Sequence, residues 1–273
     1  MLKKVIFLGG PSHLASVRIR CIQVANSLGC DYITGVNSLQ NIPREKEIFI
    51  CVKPFLTPEA FETLQKRGIV VFDIHDNYCP PDFIDYYLVS SQGAYQKFKS
   101  YGQTHIIPHH HCNFSGFPNA LKLQRTPTWI GSPEWVPSHL DFKFETYNDR
   151  EMTPQEIVGI YRHSTLLLNL RASTSRTLES VSEHIRTNPG VKLINSIGFG
   201  VPSISDREPA YLEIGPKCTI FVESSEDCKY WAIRLQQDDD LYTRLRNNCI
   251  LKAPQYSLAK ITKQYLNFLM HEI

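Results

Sequence analysis

The sequence predicts an α/β protein made of two doubly wound domains, each with a parallel sheet covered by crossover helices. Its 273 residues suffice for two compact domains with ordinary cores. Short β-rich runs alternate with amphipathic stretches along nearly the whole chain, which is the pattern of βαβ units. Between His109 and Pro133 this periodicity is lost and prolines accumulate, which is typical of a connector between domains.

The first series of elements predicts a six-stranded domain. The run KKVIFLG (3–9) is interpreted as a strand, because Gly9, Gly10 and Pro11 interrupt it too early for the apolar core of a signal peptide. The stretch 16–29 has helical periodicity and ends at a glycine. The remaining elements are strands at 30–36, 47–53, 68–75, 85–91 and 104–110, and helices at 57–68 and 92–102.

A second alternating series follows the connector. Thr153 and Pro154 have the residue types of an N-cap and a first helical position, so a helix is predicted over 153–164. The other elements are strands at 126–132, 141–147, 165–171 and 201–206, and helices at 191–200 and 257–273. We therefore expect an N-terminal domain at 1–115 and a C-terminal domain at 125–255.

Composition indicates an ordinary soluble protein. Hydrophobic residues make up 42% and charged residues 21% of the chain, and no apolar run approaches the roughly 20 residues that cross a bilayer. We expect a soluble or peripheral protein. The eight cysteines lie singly, without a CxxC pair, which fits the reduced thiols of a cytoplasmic protein.

Charge is distributed unevenly along the chain. Residues 1–125 hold 13 basic and 9 acidic side chains, a net charge of +4, whereas residues 126–273 hold 16 and 18, a net charge of −2. A basic first half favours an anionic partner, through a field that salt would screen. The alternative, that the excess is only a solvated surface, stays open.

Two segments of the second half resemble a known family. TPQEIVGIYRHSTLLLNL (153–170) and VKLINSIGFGVPSISD (191–206) are similar, in order, to a helix–strand segment and to the "KllEAmacGvPvIas" segment of the C-terminal domain of retaining GT-B glycosyltransferases. GGPSHLASVRIRC (9–21) and VVFDIHDNY (70–78) resemble the first βα turn and a central strand end of the N-terminal domain. The resemblance implies two Rossmann-like domains that face a cleft, with the helix 257–273 packing back onto the first.

The resemblance also implies an activity. A protein of this family transfers a sugar from a nucleotide-diphosphate donor to a hydroxyl of a glycan, lipid carrier or other acceptor, with retention of configuration and without a bound metal or cofactor. The first domain would bind the acceptor and the second the donor. The expected partners are a nucleotide sugar and a glycan or lipid-linked acceptor, which the basic first half allows to be anionic. Contact with the inner membrane surface is compatible with this; nucleic acid is disfavoured but not excluded.

The donor site is expected where Asn188-Pro189-Gly190 opens a helix. Free first-turn amides and the helix dipole attract a diphosphate there, and Lys192 would add a positive charge. The alternative is an ordinary turn with a solvated lysine. The candidate donor-binding residues are Gly10, Arg171, Arg186, Thr187, Gly190, Lys192 and Asn195.

Three positions depart from the family pattern. Thr187 and Asn195 stand where retaining members usually carry glutamates, and Ser132 stands where they tend to place an arginine that neutralises the leaving diphosphate. Asn195 can still hydrogen-bond ribose hydroxyls, but Thr187 cannot replace a carboxylate. If no other basic residue compensates, the protein is a weak enzyme or only a binder.

On the acceptor side, the candidates follow the first strand. GGPSHL lacks the GxGxxG pattern of dinucleotide-binding domains, which argues against a dehydrogenase. Arg18 and Arg20 are two residues apart and cannot share a helix face, so at most one of them faces the ligand and the other is expected to be solvated. Ser16 and Arg18 are the predicted acceptor-binding residues.

His75, Asp76 and His109 are the predicted catalytic residues. His75 and Asp76 follow a buried strand, where one of them could hold an acceptor hydroxyl or act as a base. The alternative is that Asp76 caps the turn and His75 packs beneath it. His109 lies where the family brings a strand end near the donor. Neighbouring histidines point to opposite sides, so the HHH run is not interpreted as a metal site.

Two rival functions remain at this point. One is a GT-B-like protein that binds a nucleotide sugar but has lost catalysis, and the other is a sugar-nucleotide epimerase of the same architecture. A periplasmic binding protein is disfavoured because no signal peptide is apparent.

Overall fold

The computed structural model describes residues 2–75, 80–118, 125–171 and 187–273. The chain divides into two compact units. The first comprises the described residues of Met1–His109, His184–Pro189 and Leu258–Ile273, and the second those of His110–Glu183 and Gly190–Ser257. Each unit has its own sheet and its own cores.

The first unit contains a six-stranded parallel sheet. Its strands are β1 (Val5–Gly9), β2 (Asp31–Ile33), β3 (Ile48–Val52), β4 (Ile69–Asp73), β5 (Tyr86–Val89) and β6 (Gln103–Ile106), and they lie in the order β2-β1-β3-β4-β5-β6. The order reverses direction between β1 and β3. In doubly wound sheets this reversal marks the place where ligands bind, outside the carboxyl ends of the strands.

Helices cover both faces of this sheet. On one face lie the terminal helix, Leu258–His271, and a helix that begins with wide π-type turns at Val17–Gln23 and continues as Val24–Leu28. On the other face lie Pro58–Gln65 and Gln92–Phe98. The terminal helix supplies four fully or nearly fully buried core side chains: Ile261, Tyr265, Phe268 and Leu269.

The second unit contains a five-stranded parallel sheet in the order β11-β10-β9-β7-β8. Its strands are β7 (Pro127–Gly131), β8 (Glu145–Asn148), β9 (Leu166–Asn169), β10 (Ser203–Ser205) and β11 (Thr219–Phe221). The helices are Pro154–His163, Val191–Phe199, Pro209–Ile214, Ser225–Gln237 and Asp239–Lys252, with short 3-10 turns at Pro133–Trp135 and Ala253–Tyr256. Alternate residues of β7 and β9 enter opposite cores, as the pleat of a doubly covered sheet requires.

These two parallel sheets with crossover helices confirm the α/β class predicted from the sequence. The capping box at Thr153 and Glu156 is also formed, with the Glu156 carboxylate accepting the Thr153 backbone N–H at 2.7 Å. The strand predicted at 141–147 is wrong in its extent, since β8 is Glu145–Asn148. Phe142 and Phe144 pack from a loop against the core that lies under β7, so their alternation reflects burial and not strand pairing.

Among the described residues, no helix combines the length and the apolar composition needed to span a membrane.

Candidate functional site

In the second unit, polar side chains gather at the carboxyl edge of the sheet, where the helix Val191–Phe199 begins. Gly190 precedes this helix in the left-handed region, with φ of 70°. A Cβ at this position would lie 2.5 Å from Ile214 Cδ1. Glycine is therefore required both for the backbone conformation and for the packing that sets the start of the helix.

Lys192 reaches from the first turn of this helix to the end of β7. Its Nζ lies 4.4 Å from the centre of the Trp129 ring, and a Cβ on Gly131 would come within 2.6 Å of the same atom. Trp129 is itself held, because its Nε1 donates to the Leu170 carbonyl at 2.9 Å. Burial lowers the pKa of Lys192 to about 8, and the neighbouring charge of Arg171 adds to the effect.

Arg171 follows β9 and is anchored by two carboxylates of the next βα connection. Its backbone N–H donates to Asp206 Oδ2 at 2.7 Å, and its Nε donates to Glu208 Oε1 at 2.5 Å. The guanidinium also lies 5.6 Å from the ring centre of Trp135. Burial raises the pKa of Asp206 to about 7, the Arg171 N–H acts in the opposite direction, and Glu208 adds to the increase.

At the ends of β7 and β8, Ser132 Oγ donates to Asp149 Oδ1 at 3.1 Å. The Asp149 N–H in turn donates to the Gly131 carbonyl at 3.1 Å. Together with Arg171 and Lys192, this edge of the sheet therefore carries two cations and three carboxylates. Cations of this kind suit a diphosphate, whereas carboxylates suit the hydroxyl groups of a sugar.

In the first unit, a buried ionic network connects three elements. Asp73, the last residue of β4, accepts two hydrogen bonds from Arg20, at 3.0 Å from Nε and 2.8 Å from Nη2. The Tyr265 hydroxyl donates to Asp73 Oδ2 at 2.5 Å, and Arg20 Nη1 donates to the Ile107 carbonyl at 2.7 Å. All three charged or hydroxyl-bearing side chains are completely buried. Burial alone would raise the pKa of Asp73, but Arg20 and His75 hold it well below its usual range.

The two predicted catalytic histidines extend this network. His75 Nε2 lies 2.9 Å from Asp73 Oδ1, and His75 Nδ1 lies 3.2 Å from His109 Nε2. Burial lowers the pKa of His75 against the attraction of Asp73. His75 Nε2 makes no hydrogen bond in this geometry, and the two rings are joined through His75 Nδ1 and His109 Nε2. Both histidines are fully buried, and Asp76 lies outside the described residues.

The predicted acceptor residues sit at the start of the π-type helix. Ser16 and Arg18 are half-buried, and Arg18 Nη1 donates to the His13 carbonyl at 2.5 Å. The prediction that the other arginine is solvated is wrong: Arg20 is completely buried, because Asp73 offers it a bidentate partner. No motif in the sequence indicated this pairing.

Gly10 is explained by close packing at the end of β1. A Cβ there would lie 2.2 Å from the Lys53 carbonyl oxygen, at the end of β3. The Gly10 N–H donates to the Val52 carbonyl at 3.0 Å. Its predicted contact with the donor stays a prediction.

No protein-family model matches the chain, and no curated protein matches it in sequence. Solved structures do match. Sucrose-phosphate synthase from Thermosynechococcus elongatus superimposes with a TM-score of 0.67 at 10% identity, over 98% of each chain. A glycosyltransferase from Rickettsia africae gives 0.60 at 12% identity, again over 98% of each chain. HepE from Anabaena, in complex with UDP and glucose, gives 0.58 at 10% identity, over 98% of this chain and all of that one.

The chain has the GT-B fold. At these identities the likeness concerns the architecture alone.

Two of the predicted donor residues of this GT-B chain are buried inside the protein. Asn195 is buried, and its Oδ1 accepts the Cys112 N–H at 3.0 Å, so this oxygen holds the segment after the histidines. Thr187 is buried and belongs to the first unit. Arg186 lies outside the described residues, whereas Gly190, Lys192 and Arg171 meet at the carboxyl edge of the second sheet.

Several residues at this edge were not predicted from the sequence. Asp206 ends the segment VPSISD and Glu208 is the N-cap of the next helix, so the rule that strand ends carry ligands could have indicated both. Trp129, Trp135 and Asp149 carried no such signal. Within the described residues, no group of three histidine, cysteine, aspartate or glutamate side chains is arranged to hold a metal ion.

Proposed function

We propose that this protein transfers a sugar from a nucleotide-diphosphate donor to a hydroxyl of a glycan or lipid-linked acceptor, with no metal or cofactor. One observation carries the proposal. Lys192 projects from the first turn of a helix to the carboxyl edge of the second GT-B sheet, over Trp129 and against the Cα of Gly131. The UDP and UDP-glucose complexes of HepE, a protein of similar fold, support a nucleotide sugar as the ligand.

The chemistry follows from the residues at this edge. When the bond between sugar and diphosphate breaks, negative charge develops on the leaving phosphate. In this proposal the Lys192 ammonium and the positive end of the helix dipole stabilise that charge. Arg171 is committed to Glu208 and Asp206, so in this proposal it fixes the shape of the site and adds to its positive field. Asp149, beside Ser132, is placed to accept hydrogen bonds from ligand hydroxyls.

The proposal extends to the location of the protein and the type of donor. The protein would act in the cytoplasm, with transient contact at the membrane surface where the acceptor is lipid-linked. The donor would be a hexose nucleotide. Retention of configuration rests on the resemblance alone, and the Thr187 and Asn195 departures leave open the alternative of a binder without transfer activity.

Nucleotide binding is tested first, by thermal denaturation with a panel of nucleoside diphosphates and nucleotide sugars. A ligand present at about 100 times its Kd adds about 2.7 kcal/mol to the free energy of unfolding. We expect one base to give a clear increase in Tm, and Lys192→Ala to abolish it. Lys143→Ala is the matched control, because Lys143 is an exposed lysine of the same unit.

The outcome separates the rival functions. Absence of a shift with every nucleotide would contradict the donor site. If a nucleotide sugar binds, product analysis with and without added acceptors follows: transfer supports the enzyme, interconversion of the sugar supports an epimerase, and an unchanged ligand supports a binder.

A further inference from the structure

A network of buried polar side chains leads from the helix Val191–Phe199 into the second sheet, and the proposed function does not use it. It begins on the helix, where Ser196 Oγ donates to the Lys192 carbonyl at 2.9 Å. Asn169, the last residue of β9, donates from Nδ2 to Ser196 Oγ at 3.1 Å and to Ser205 Oγ, on β10, at 3.4 Å. The three side chains are buried. The Asn169 amide therefore ties the helix that carries Lys192 to two strands of the sheet.

The same network ends at β11, the edge strand. Ser203 Oγ donates to Thr219 Oγ1 at 2.8 Å, and Thr219 Oγ1 donates its single proton to the Ser203 carbonyl at 2.8 Å. Ser205 Oγ lies 2.8 Å from the same Thr219 oxygen. Because the Thr219 proton is already used, Ser205 is the donor in this contact and has no second proton to give to Asn169.

The direction of these hydrogen bonds requires an amide at position 169. Ser196 gives its one proton to the Lys192 carbonyl, and Ser205 gives its own to the threonine of β11. Both serine oxygens therefore need a donor, and the Asn169 NH₂ group supplies two protons. A carboxylate could only accept, and an aliphatic side chain would leave two buried hydroxyl oxygens without a donor.

The location of the Lys192 ammonium depends on where the helix is held. The side chain extends from the first turn to Trp129 and Gly131 of β7. Four charged groups act on its ammonium: Arg171, Asp149, Glu208 and Asp206. A shift of the first turn relative to the sheet changes both the exposure of the ammonium and its distances to these charges. Binding groups keep their geometry when the residues behind them are fixed by packing and hydrogen bonds.

We propose that Asn169 and Ser196 are positioning residues of the nucleotide-diphosphate site, and that they act through the main chain of Lys192. The inference rests on the proposed function, since it takes Lys192 as the cation that contacts the donor. It adds two residues that the proposed donor site does not include.

The test is calorimetric titration of the whole protein with UDP-, ADP-, GDP- and dTDP-glucose, together with urea denaturation of each variant. Asn169→Leu removes both donated protons and should weaken the affinity about fivefold at about pH 7, a usual scale for residues that modulate a site without contacting the ligand. Ser196→Ala breaks the network at the helix and should give a similar loss of affinity. The helix propensity of alanine offsets part of its cost in stability, so this variant decides the test if Asn169→Leu does not fold.

Thr219→Val is the matched control, because it breaks the same network beyond Ser205 and leaves both hydrogen bonds of Asn169 in place. We expect it to lower the free energy of unfolding and to leave the affinity for the nucleotide sugar unchanged.

The pH profile of affinity separates positioning from a structural role. Burial lowers the pKa of Lys192 to about 8, so an anionic ligand loses affinity as the pH increases through this value. Asn169→Leu and Ser196→Ala should expose the ammonium and move this decrease to higher pH, so their loss of affinity should shrink toward about pH 9. Thr219→Val should keep the wild-type profile. A structural defect lowers the affinity by the same factor at every pH.

Three results would overturn the inference: wild-type affinity in Asn169→Leu and Ser196→Ala, a loss of affinity that Thr219→Val shares, or a loss that is independent of pH. Lys192→Ala, measured on the same day with the same ligands, keeps the two proposals distinct. If it weakens binding while Asn169→Leu and Ser196→Ala do not, the positioning inference falls and the donor site stands. If the wild type binds none of the four nucleotide sugars, both fall.

Discussion

At the residue scale, the buried carboxylate of Asp73 is the centre of the ionic network in the first unit. Its carboxylate accepts hydrogen bonds from Arg20 and Tyr265 and lies 2.9 Å from His75 Nε2, and none of these side chains is accessible to water. Burial of a carboxylate costs free energy, and its hydrogen bonds to buried partners offset that cost. Removal of one partner therefore leaves a buried polar or charged group without its hydrogen bond.

We therefore expect a graded loss of stability from this network. Tyr265→Phe removes one hydrogen bond to a charged acceptor and should lower the free energy of unfolding by about 2 kcal/mol. Asp73→Asn leaves the Arg20 charge buried without its counter-ion and should cost about 3–5 kcal/mol. Tyr32→Phe, at a partly exposed tyrosine of the same unit, is the control. Urea denaturation measures all three; equal losses for Tyr265→Phe and Tyr32→Phe would contradict the network.

Also at the residue scale, Lys192 and Asp206 predict how donor binding depends on pH. Asp206, with a pKa raised to about 7, gains a negative charge as the pH increases through that value. Lys192, with a pKa lowered to about 8, loses its positive charge slightly higher. Both changes disfavour an anionic ligand, so affinity for a nucleotide sugar should fall between about pH 6 and pH 9.

Calorimetric titration with a nucleotide sugar measures this pH dependence of affinity, because the diphosphate of the ligand has no group that titrates between about pH 6 and pH 9. Asp206→Asn should remove the lower step of the decrease and Lys192→Arg the upper one, since arginine stays protonated. A profile that neither substitution alters would exclude both residues from the donor site.

At the element scale, the start of the helix Val191–Phe199 depends on a single glycine. Gly190→Ala places a Cβ against Ile214 in a left-handed backbone, and we expect a loss of about 2 kcal/mol in the free energy of unfolding. Nucleotide binding should weaken as well, because the first-turn amides shift.

Gly159 provides the matched control for this prediction. It lies inside the helix Pro154–His163, and a Cβ there meets nothing within 4 Å. Gly159→Ala should raise the free energy of unfolding by about 0.5–1 kcal/mol, through the lower helix propensity of glycine. Chemical denaturation of both variants measures the contrast, and a similar effect at the two positions would disprove the packing argument.

At the scale of the whole molecule, the terminal helix completes the first unit although it is distant from it in sequence. Removal of Leu258–Ile273 exposes the core that Ile261, Tyr265, Phe268 and Leu269 fill, and it deprives Asp73 of a partner. We expect the amides of β1, β3 and β4 to lose protection from hydrogen exchange, while those of β7, β9 and β10 keep it. Met270→Ala, at an exposed position of the same helix, should leave both sets protected.

Protection that persists in β1, β3 and β4 after truncation would mean that the helix is dispensable for this unit. Loss of protection in all six strands would mean that the second unit does not fold without the first.

The sequence by itself determined the α/β class, the succession of the principal strands and helices along the chain and the positions of several helix ends. These follow from local signals: apolar runs such as TLLLNLR, the capping residues Thr153 and Glu156, and the glycines that stop helices. Local signals suffice because strand and helix formation depend first on hydrophobic periodicity and on backbone preferences of neighbouring residues.

The tertiary structure alone decided which polar residues meet. Arg20 and Asp73 are 53 positions apart, and Tyr265 comes from the last helix, so no spacing in the chain indicates their contact. In the same way, Lys192 lies over Trp129 only because β7 and the helix Val191–Phe199 share one edge of a sheet. Such pairings arise when strands far apart in sequence are brought side by side, and their energies depend on burial, which periodicity does not measure.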